Sequence, residues 1–375
     1  MNKLTKYALS DLYDIASGIS STKEQAGHGA PFLSFGTVFN NYFLPSELPD
    51  LMETSSKEQE IFSIKEGDVF FTRTSETVDE LAMSSVALKE YPCATFSGFL
   101  KRLRPKMEGL VYPKFMAFYF RSGYFRKLID CNTIMTLRAS FNEDIFSFLN
   151  VYLPNYSVQK KIGDFLYRLE VKTQLNSRIN DNLEQQLKCI YEYEFIQNAD
   201  KAWRTVVLTD IAQLYQPQTI SSKDLIPNGS YDVYGANGII GKYNLFNHKD
   251  REIAVACRGV CGAVTMTLPN SWITGNAMVV SPKKLFPYKE FLYYTLLKKN
   301  IAYLASGSVQ SQLTRENMSI YPVVLPPLDK LSKFEQLAKC FRNKMIQLSY
   351  ENKKLIRMRD WLLPMLMNGQ ATIEA

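Results

Sequence analysis

Two stretches of the chain repeat their apolar residues with the period of a helix and carry almost no helix breakers. In the distal stretch Phe341, Met345, Leu348, Asn352, Leu355, Arg359, Leu362 and Leu366 follow one another in alternating steps of four and three, the spacing of a coiled-coil seam. Phe165, Leu169, Ile179, Leu183 and Ile190 keep the same track in a central stretch, with polar interruptions at Lys172, Asn176 and Gln186. Gly163 and Pro364 are the internal exceptions; Pro154, Pro326 and Pro327 suit a helix start and Gly369 a helix end. Helices of about 40 residues would span roughly 60 Å, more than one globular core requires. The intervening regions are rich in Val, Ile, Phe, Tyr and Thr, punctuated by Gly, Asn and Pro, and predict short strands, turns and a few helices. The expected class is α+β, divided into a first mixed domain over 1–153, a central helical region over 154–200, a second mixed domain over 201–325 and a distal helical region over 326–375.

The chain also contains itself twice. Leu9-Ser10-Asp11-Leu12 matches Leu208-Thr209-Asp210-Ile211 at an offset of 199, which also carries Ser20 onto Thr219, Phe32 onto Tyr231 and Phe35-Gly36 onto Tyr234-Gly235 without a gap. Ser97-Gly98 and Pro105 match Thr274-Gly275 and Pro282 at offset 177, and Val151, Leu153 and Pro154 match Val323, Leu325 and Pro326 at offset 172. Shrinking offsets are what loop insertions between fixed elements produce, so each copy is a mixed domain followed by a helix. Two equivalent helices would pack most simply against one another, antiparallel if a pseudo-two-fold relates the copies, making a spacer with a domain at each end.

Composition adds a partner. With 46% apolar and 22% charged residues the chain can bury large cores, and its formal charge of +7 favours an anionic ligand. Lys101, Arg102, Arg104, Lys106, Lys114, Arg121, Arg126 and Lys127 face only Glu108 across their stretch, with Tyr112, Phe115, Tyr119 and Tyr124 interleaved; this suits phosphate neutralisation or a solvated face. Six cysteines and two histidines show no zinc spacing, no run reaches the length of a membrane span, and free thiols without an export signal fit the cytoplasm. Neither a glycine-rich cofactor loop with an Asn/Asp-Pro-Pro-aromatic motif nor a phosphate-binding loop occurs, so no catalytic site, cofactor or metal is expected. Asp68, Glu76, Asp79 and Glu80 could be a metal-dependent nuclease cluster, but Asp79 and Glu80 lie in an acidic stretch without the strand-borne partners a metal site requires, and a solvated loop explains them equally well.

Base edges are read by Arg for guanine and by Asn or Gln for adenine. Arg73, beside Thr74 and Ser75, follows an apolar strand-like run, and Arg258 is expected at the comparable place in the second copy, after the run "EIAVAC". Asn237, Lys242, Ser308, Gln310, Gln312 and Arg315 lie in glycine-containing segments that could approach phosphates closely. Lys101, Arg102 and Arg104 suit holding the backbone. Asn180 and Asn352, at matching helix positions, are either a register lock or exposed residues. Tyr191, Phe195, Trp361 and Leu363 are either partner-docking positions or core.

The segments "VYLPNYSVQKKIGDFLYRLEVKTQLNSRINDNLEQQLKCIYEYEF" and "VVLPPLDKLSKFEQLAKCFRNKMIQLSYENKKLIRMRDWLLPMLMNGQ" resemble the central and distal helical regions of the specificity subunit of type I restriction-modification systems. "YDVYGANGIIGKYN" and "GSVQSQLTRENMSIYPVVLPPL" resemble its target recognition domains, whereas the first copy has "FLSFGTVFNN" in place of the glycine-rich form. The resemblance implies a non-catalytic subunit of two recognition domains, each reading half of a bipartite site in double-stranded DNA. It also implies helices that set the unread spacer and dock two methyltransferase subunits, with restriction subunits in the full complex. A stand-alone DNA modification or restriction enzyme and a protein-binding scaffold are the alternatives.

Overall fold

The computed structural model describes residues 4–75, 80–132, 139–298, 301–306 and 311–373. It divides into two compact units, Met1–Leu175 with Glu351–Ala375, and Asn176–Tyr350.

In the first unit a four-stranded antiparallel sheet runs Tyr13–Ser17, Leu100–Pro105, Val69–Thr72, Ser84–Val86. A three-stranded sheet centres on Ala26–Leu33, antiparallel to Asp50–Met52 and parallel to Thr95–Phe96. The domain is closed by a two-stranded ribbon, Thr5–Ala8 against Asn150–Leu153. In the second unit the corresponding sheets are Ala212–Tyr215, Ala277–Pro282, Ile253–Ala256, Val264–Met266, then Gly238–Tyr243, Tyr231–Gly235, Trp272–Ile273, and the ribbon Arg204–Val207 against Pro322–Leu325. The registers agree residue by residue: Tyr13 faces Pro105 as Ala212 faces Pro282, and Thr5 faces Leu153 as Arg204 faces Leu325. All three offsets of the internal repeat thus have a structural counterpart, with two corrections. Leu33 pairs with Phe96 as Tyr234 pairs with Ile273, and Phe32 pairs with Thr95 as Val233 pairs with Trp272, so Leu33, not Phe35, is the partner of Tyr234, and Phe32 matches Val233, not Tyr231. The shared aromatic-glycine pair misleads because Phe35-Gly36 opens a short helix capped by Ser34, whereas Tyr234-Gly235 ends a hairpin strand.

The two breaker-poor stretches are helices over Tyr156–Glu192 and Leu328–Met367. Asn155 starts the central one after Pro154, its side-chain oxygen accepting from the Val158 N–H. The distal one runs through Pro364 and stops before Gly369, whose φ of +76° ends a helix without steric cost. Each unit holds a segment of both helices. In the first, Ile162 and Leu166 share a core with Leu363, Leu366 and Met367 and with Phe71, Phe115 and Val151. Asn352 donates to the Thr173 carbonyl and Arg359 to Glu170, so the segments run antiparallel. In the second, Leu187, Tyr191 and Phe195 share a core with Leu331, Phe334, Ala338 and Phe291. There Asn180 donates to the Met345 carbonyl and Arg342 pairs with Glu184, again antiparallel. Among the described residues no helix is long and apolar enough to cross a membrane.

The joint between helix and mixed domain is made differently in the two units. In the first, Gly163 lies against the start of the helix Pro113–Arg121, where an added Cβ would come within 2.6 Å of the Phe115 nitrogen. Gln159 completes the contact, accepting from the Tyr112 N–H and donating to the Leu110 carbonyl. At the repeat-equivalent position Glu335 turns its carboxylate to the Glu290 and Phe291 N–H groups at the start of the helix Lys289–Lys298. Burial, with Glu290 adding to it, pushes the Glu335 carboxyl up to about 7, while the N–H groups pull the other way.

Two outcomes follow from these joints. Gly163→Ala should lower the unfolding midpoint, because crowding costing about 1–3 kcal/mol outweighs roughly 1 kcal/mol of helix propensity gained; an unchanged or raised midpoint would show that the joint has slack. A folded-state value near 7 for Glu335, above its ordinary 4.5, means that its stabilising contribution is complete below the ordinary value and is lost as pH rises through 7. Denaturant unfolding at pH 5 and pH 8 should therefore show a smaller drop with rising pH for Glu335→Gln than for the parent, and equal drops would refute the assignment.

Candidate nucleic-acid interface

Base reading needs exposed side chains on a fixed backbone, and each unit builds such a place at the rim of its four-stranded sheet. In the first unit Arg73 follows the strand Val69–Thr72 and is exposed. Its N–H donates to the Phe99 carbonyl at 2.8 Å and its guanidinium lies 3.4 Å from the Gly98 carbonyl. Half-buried Thr74 and buried Ser75 pair with Ala139–Ser140 and so extend this rim, but Ser75, expected among the DNA contacts, is covered there and is not presented for reading.

In the second unit the residue donating its N–H to the equivalent carbonyl, Asn276, is Cys257. Arg258 is therefore one position beyond the true counterpart of Arg73, exposed in the loop that returns to Val264–Met266. Gly262 anchors this loop with φ +85°, where a Cβ would meet the Ala302 nitrogen at 2.7 Å. The Leu313 N–H donates to the Cys257 carbonyl and the Cys261 thiol to the Ser311 carbonyl. Half-buried Gln312, whose main chain pairs with Ser306, is thereby brought to the Arg258 loop. Arg315 is exposed at the start of the helix Arg315–Ser319, in an open cleft it lines with Gln213, Tyr215 and Glu316. Asn237 is exposed at the turn of the hairpin Tyr231–Tyr243, beside exposed Ile239 and Ile240, and half-buried Lys242 sits opposite Asp232. Ser308 and Gln310 lie outside the described residues.

The cluster expected to hold phosphates is instead engaged inside its domain. Lys101 is buried, its ammonium on the Ser17 hydroxyl and the Glu143 carboxylate at 2.8 and 3.2 Å. Arg102 donates to the Ser63 carbonyl at 2.7 Å and lies over the Phe96 ring; burial, then the charge of Arg104, lowers its pKa. Arg104 makes two bonds to Asp68, at 2.8 and 2.7 Å. The strand containing them lies between two others, so its charges find carbonyl and carboxylate partners before any external phosphate. Arg121 is likewise committed, donating to the carbonyls of Ser84, Val38, Phe39 and Asn41, and burial pushes its pKa down to about 10. Asp68 is not solvated but fully buried against Arg104; Glu76 and Asp79 lie outside the described residues.

Of the helix positions, Tyr191, Phe195 and Leu363 are buried in the cores of their units and present no docking surface. Core packing is the physical reason: Tyr191 stacks on Tyr294, and Phe195 meets Phe291 and Phe334 edge to face. Trp361 is 68% exposed. Asn180 and Asn352 each give their amide to the main chain of the facing helix, at 3.3 and 3.1 Å, and the acceptors Met345 and Thr173 are themselves repeat partners. Phe99 and Asn276, exposed at the two rims, carry no charge or motif; the shared Ser97-Gly98 and Thr274-Gly275 immediately before them are the signal that points to them.

Comparison with known proteins agrees with the repeat. A family model described as the type I restriction modification DNA specificity domain matches residues 1–185 and 200–347. The chain is 21% identical over 463 aligned residues to the type I restriction enzyme HindI specificity subunit of Haemophilus influenzae, covering 96% of this chain and 98% of that one. It is 19% identical over 414 to the type I restriction enzyme MjaIX specificity subunit of Methanocaldococcus jannaschii, covering 98% and 93%. The crystal structure of a type I restriction-modification S subunit from M. genitalium has the same fold, with a TM-score of 0.66 at 14% identity over 100% of this chain and 97% of that one.

The buried pair gives a test of the reassigned cluster. Arg104→Ala leaves the Asp68 carboxylate without its guanidinium and should cost about 3–5 kcal/mol of stability. Thermal unfolding checks this, and an unchanged midpoint accompanied by weaker DNA binding would restore the phosphate-holding role.

Proposed function

Since the chain belongs to the type I restriction-modification specificity-subunit family, whose role is DNA sequence recognition and which is non-catalytic, we propose that each of its two mixed domains reads one half of a bipartite site in double-stranded DNA. The observation that carries this reading is the duplicated rim: two domains with the same strand order and register present different exposed side chains from the same backbone frame. One frame with two sets of readers suits two different half-sites.

On this reading the recognition domains are 1–153 and 201–325, and the helical regions 154–200 and 326–375 set the length of the unread spacer. Asn180 and Asn352 support the ruler role, because an amide bonded to the facing helix penalises slippage along the seam. Arg73, Thr74, Asn237, Lys242, Arg258, Gln312 and Arg315 are the contacts we assign to DNA from accessible or partly accessible positions, with Ser308 and Gln310 assigned from sequence alone. Two methyltransferase subunits dock on the helical regions, with Trp361 as one contact, and restriction subunits complete the assembly in the cytoplasm.

Selection of bound duplexes from a random pool, with and without the cognate modification subunits and at fixed salt, should return a split motif with a gap of constant length. Arg258→Ala should relax one half of it by about tenfold at one position and leave the other half unchanged. Equal loss in both halves would remove Arg258 from base reading, and no enrichment with the partner present would overturn the DNA-reading assignment of the domains.

A further inference from the structure

The rims hold a second pair of readers, and the hydrogen bonds around them say why. In the first unit the Ser97 N–H donates to the Leu33 carbonyl, the Leu100 N–H to the Ser97 carbonyl, and the Phe99 N–H to the Ser97 hydroxyl, while the Phe99 carbonyl accepts from Arg73. In the second unit the Thr274 N–H donates to the Tyr234 carbonyl, the Ala277 N–H to the Thr274 carbonyl, and the Asn276 N–H to the Thr274 hydroxyl, while the Asn276 carbonyl accepts from Cys257. Each bond in one unit has its counterpart in the other. Gly98 and Gly275 are required at these turns for one reason: a Cβ would come within 2.9 Å of the Ile19 carbonyl oxygen in the first and 2.6 Å of the Thr219 hydroxyl in the second. The turn is therefore held from both sides, with its last side chain outside.

That side chain is the point of difference. Phe99 is 66% exposed, and Asn276 is exposed and makes no side-chain hydrogen bond among the described residues. A residue that served the turn would be alike in both copies, as Ser97 and Thr274 are. A residue that served a different half-site would differ, and these do. Arg73 lies against the first turn and Arg258 follows the residue bonded to the second, so each rim pairs an arginine with one further side chain.

We infer that Phe99 and Asn276 are specificity-determining residues, each reading one base pair in the half-site of its own domain. The Asn276 amide has the paired donor and acceptor that match the major-groove edge of adenine, and the Phe99 ring suits apolar contact with the methyl group of thymine. Pre-organisation favours this use, because neither backbone has to order itself on binding. The inference rests on the two-half-site reading above.

The test is pool selection on the full chain with its modification subunits, comparing the parent with Asn276→Asp, Asn276→Ala, Phe99→Leu, Phe99→Ala and Phe99→Asn. Asn276→Asp keeps the shape and removes the donor, so it and the alanine variant should each lose preference for one adenine in one half by about tenfold. Phe99→Ala should relax one thymine in the other half, Phe99→Leu, which keeps an apolar side chain there, should retain it, and Phe99→Asn should shift that position toward adenine. Thermal unfolding accompanies each variant, since exposed side chains should leave the midpoint where it was. A motif unchanged in every variant, or a uniform weakening across both halves, overturns the inference while leaving the bipartite reading intact. A parent chain that returns no split motif overturns both.

Discussion

Each unit depends on the chain entering and leaving its mixed domain through one antiparallel ribbon. Thr5–Ala8 pairs with Asn150–Leu153 in the first, and Arg204–Val207 with Pro322–Leu325 in the second. The ribbon brings the far end of the domain back beside its beginning and delivers the chain to Pro154 or Pro326, where the long helix starts. Val151 and Leu153, or Val323, are buried on its inner side and continue directly into the helix residues of the same core. Without that closure the helix would begin at no defined place relative to the sheet, and the rim on the sheet's other strands would have no defined place relative to the helix.

The helices in turn are bound to their domains more tightly than a linker would be. Their ends lie inside the two main cores, and polar contacts add direction to the apolar ones. Arg342 is buried among Glu184, Glu290 and Tyr294, so a guanidinium on the distal helix joins the central helix to the domain helix. In the other unit Arg359 lies between Glu170 and the Tyr42 ring. Apolar faces can slide past one another at small cost, whereas a buried charge that loses its partner costs several kcal/mol, on the order of 3–5. These arginines and the two asparagines thus fix how each helix segment meets its neighbour.

Duplication explains both what the units share and where they part. Strand registers, turns and ribbon have been kept, because each is a backbone hydrogen-bond pattern that tolerates many side chains. Joints have diverged where two side-chain solutions serve one purpose, as Gly163 and Glu335 do at the start of a domain helix. Rims have diverged where the side chain faces outward and the frame does not depend on it.

The internal repeat, both long helices, the α+β class and the family could all be read from the chain by itself. Each rests on local rules: apolar spacing, the scarcity of breakers and residue identities in order. Only the tertiary structure decided which polar groups are available. Lys101, Arg102 and Arg104 look like a phosphate-binding cluster in sequence, yet Glu143, Ser63 and Asp68 neutralise or bond them, and those partners are distant in the chain. Tyr191, Phe195 and Leu363 look like docking residues until the domain cores cover them. The same limit placed Phe35 opposite Tyr234 and Arg258 opposite Arg73, since a match of residue types cannot reveal which backbone group bonds to which. In sequence Phe99 and Asn276 are marked only by the shared Ser97-Gly98 and Thr274-Gly275 before them; that the two occupy one frame is an equivalence of hydrogen bonds, which exists only once the chain has folded.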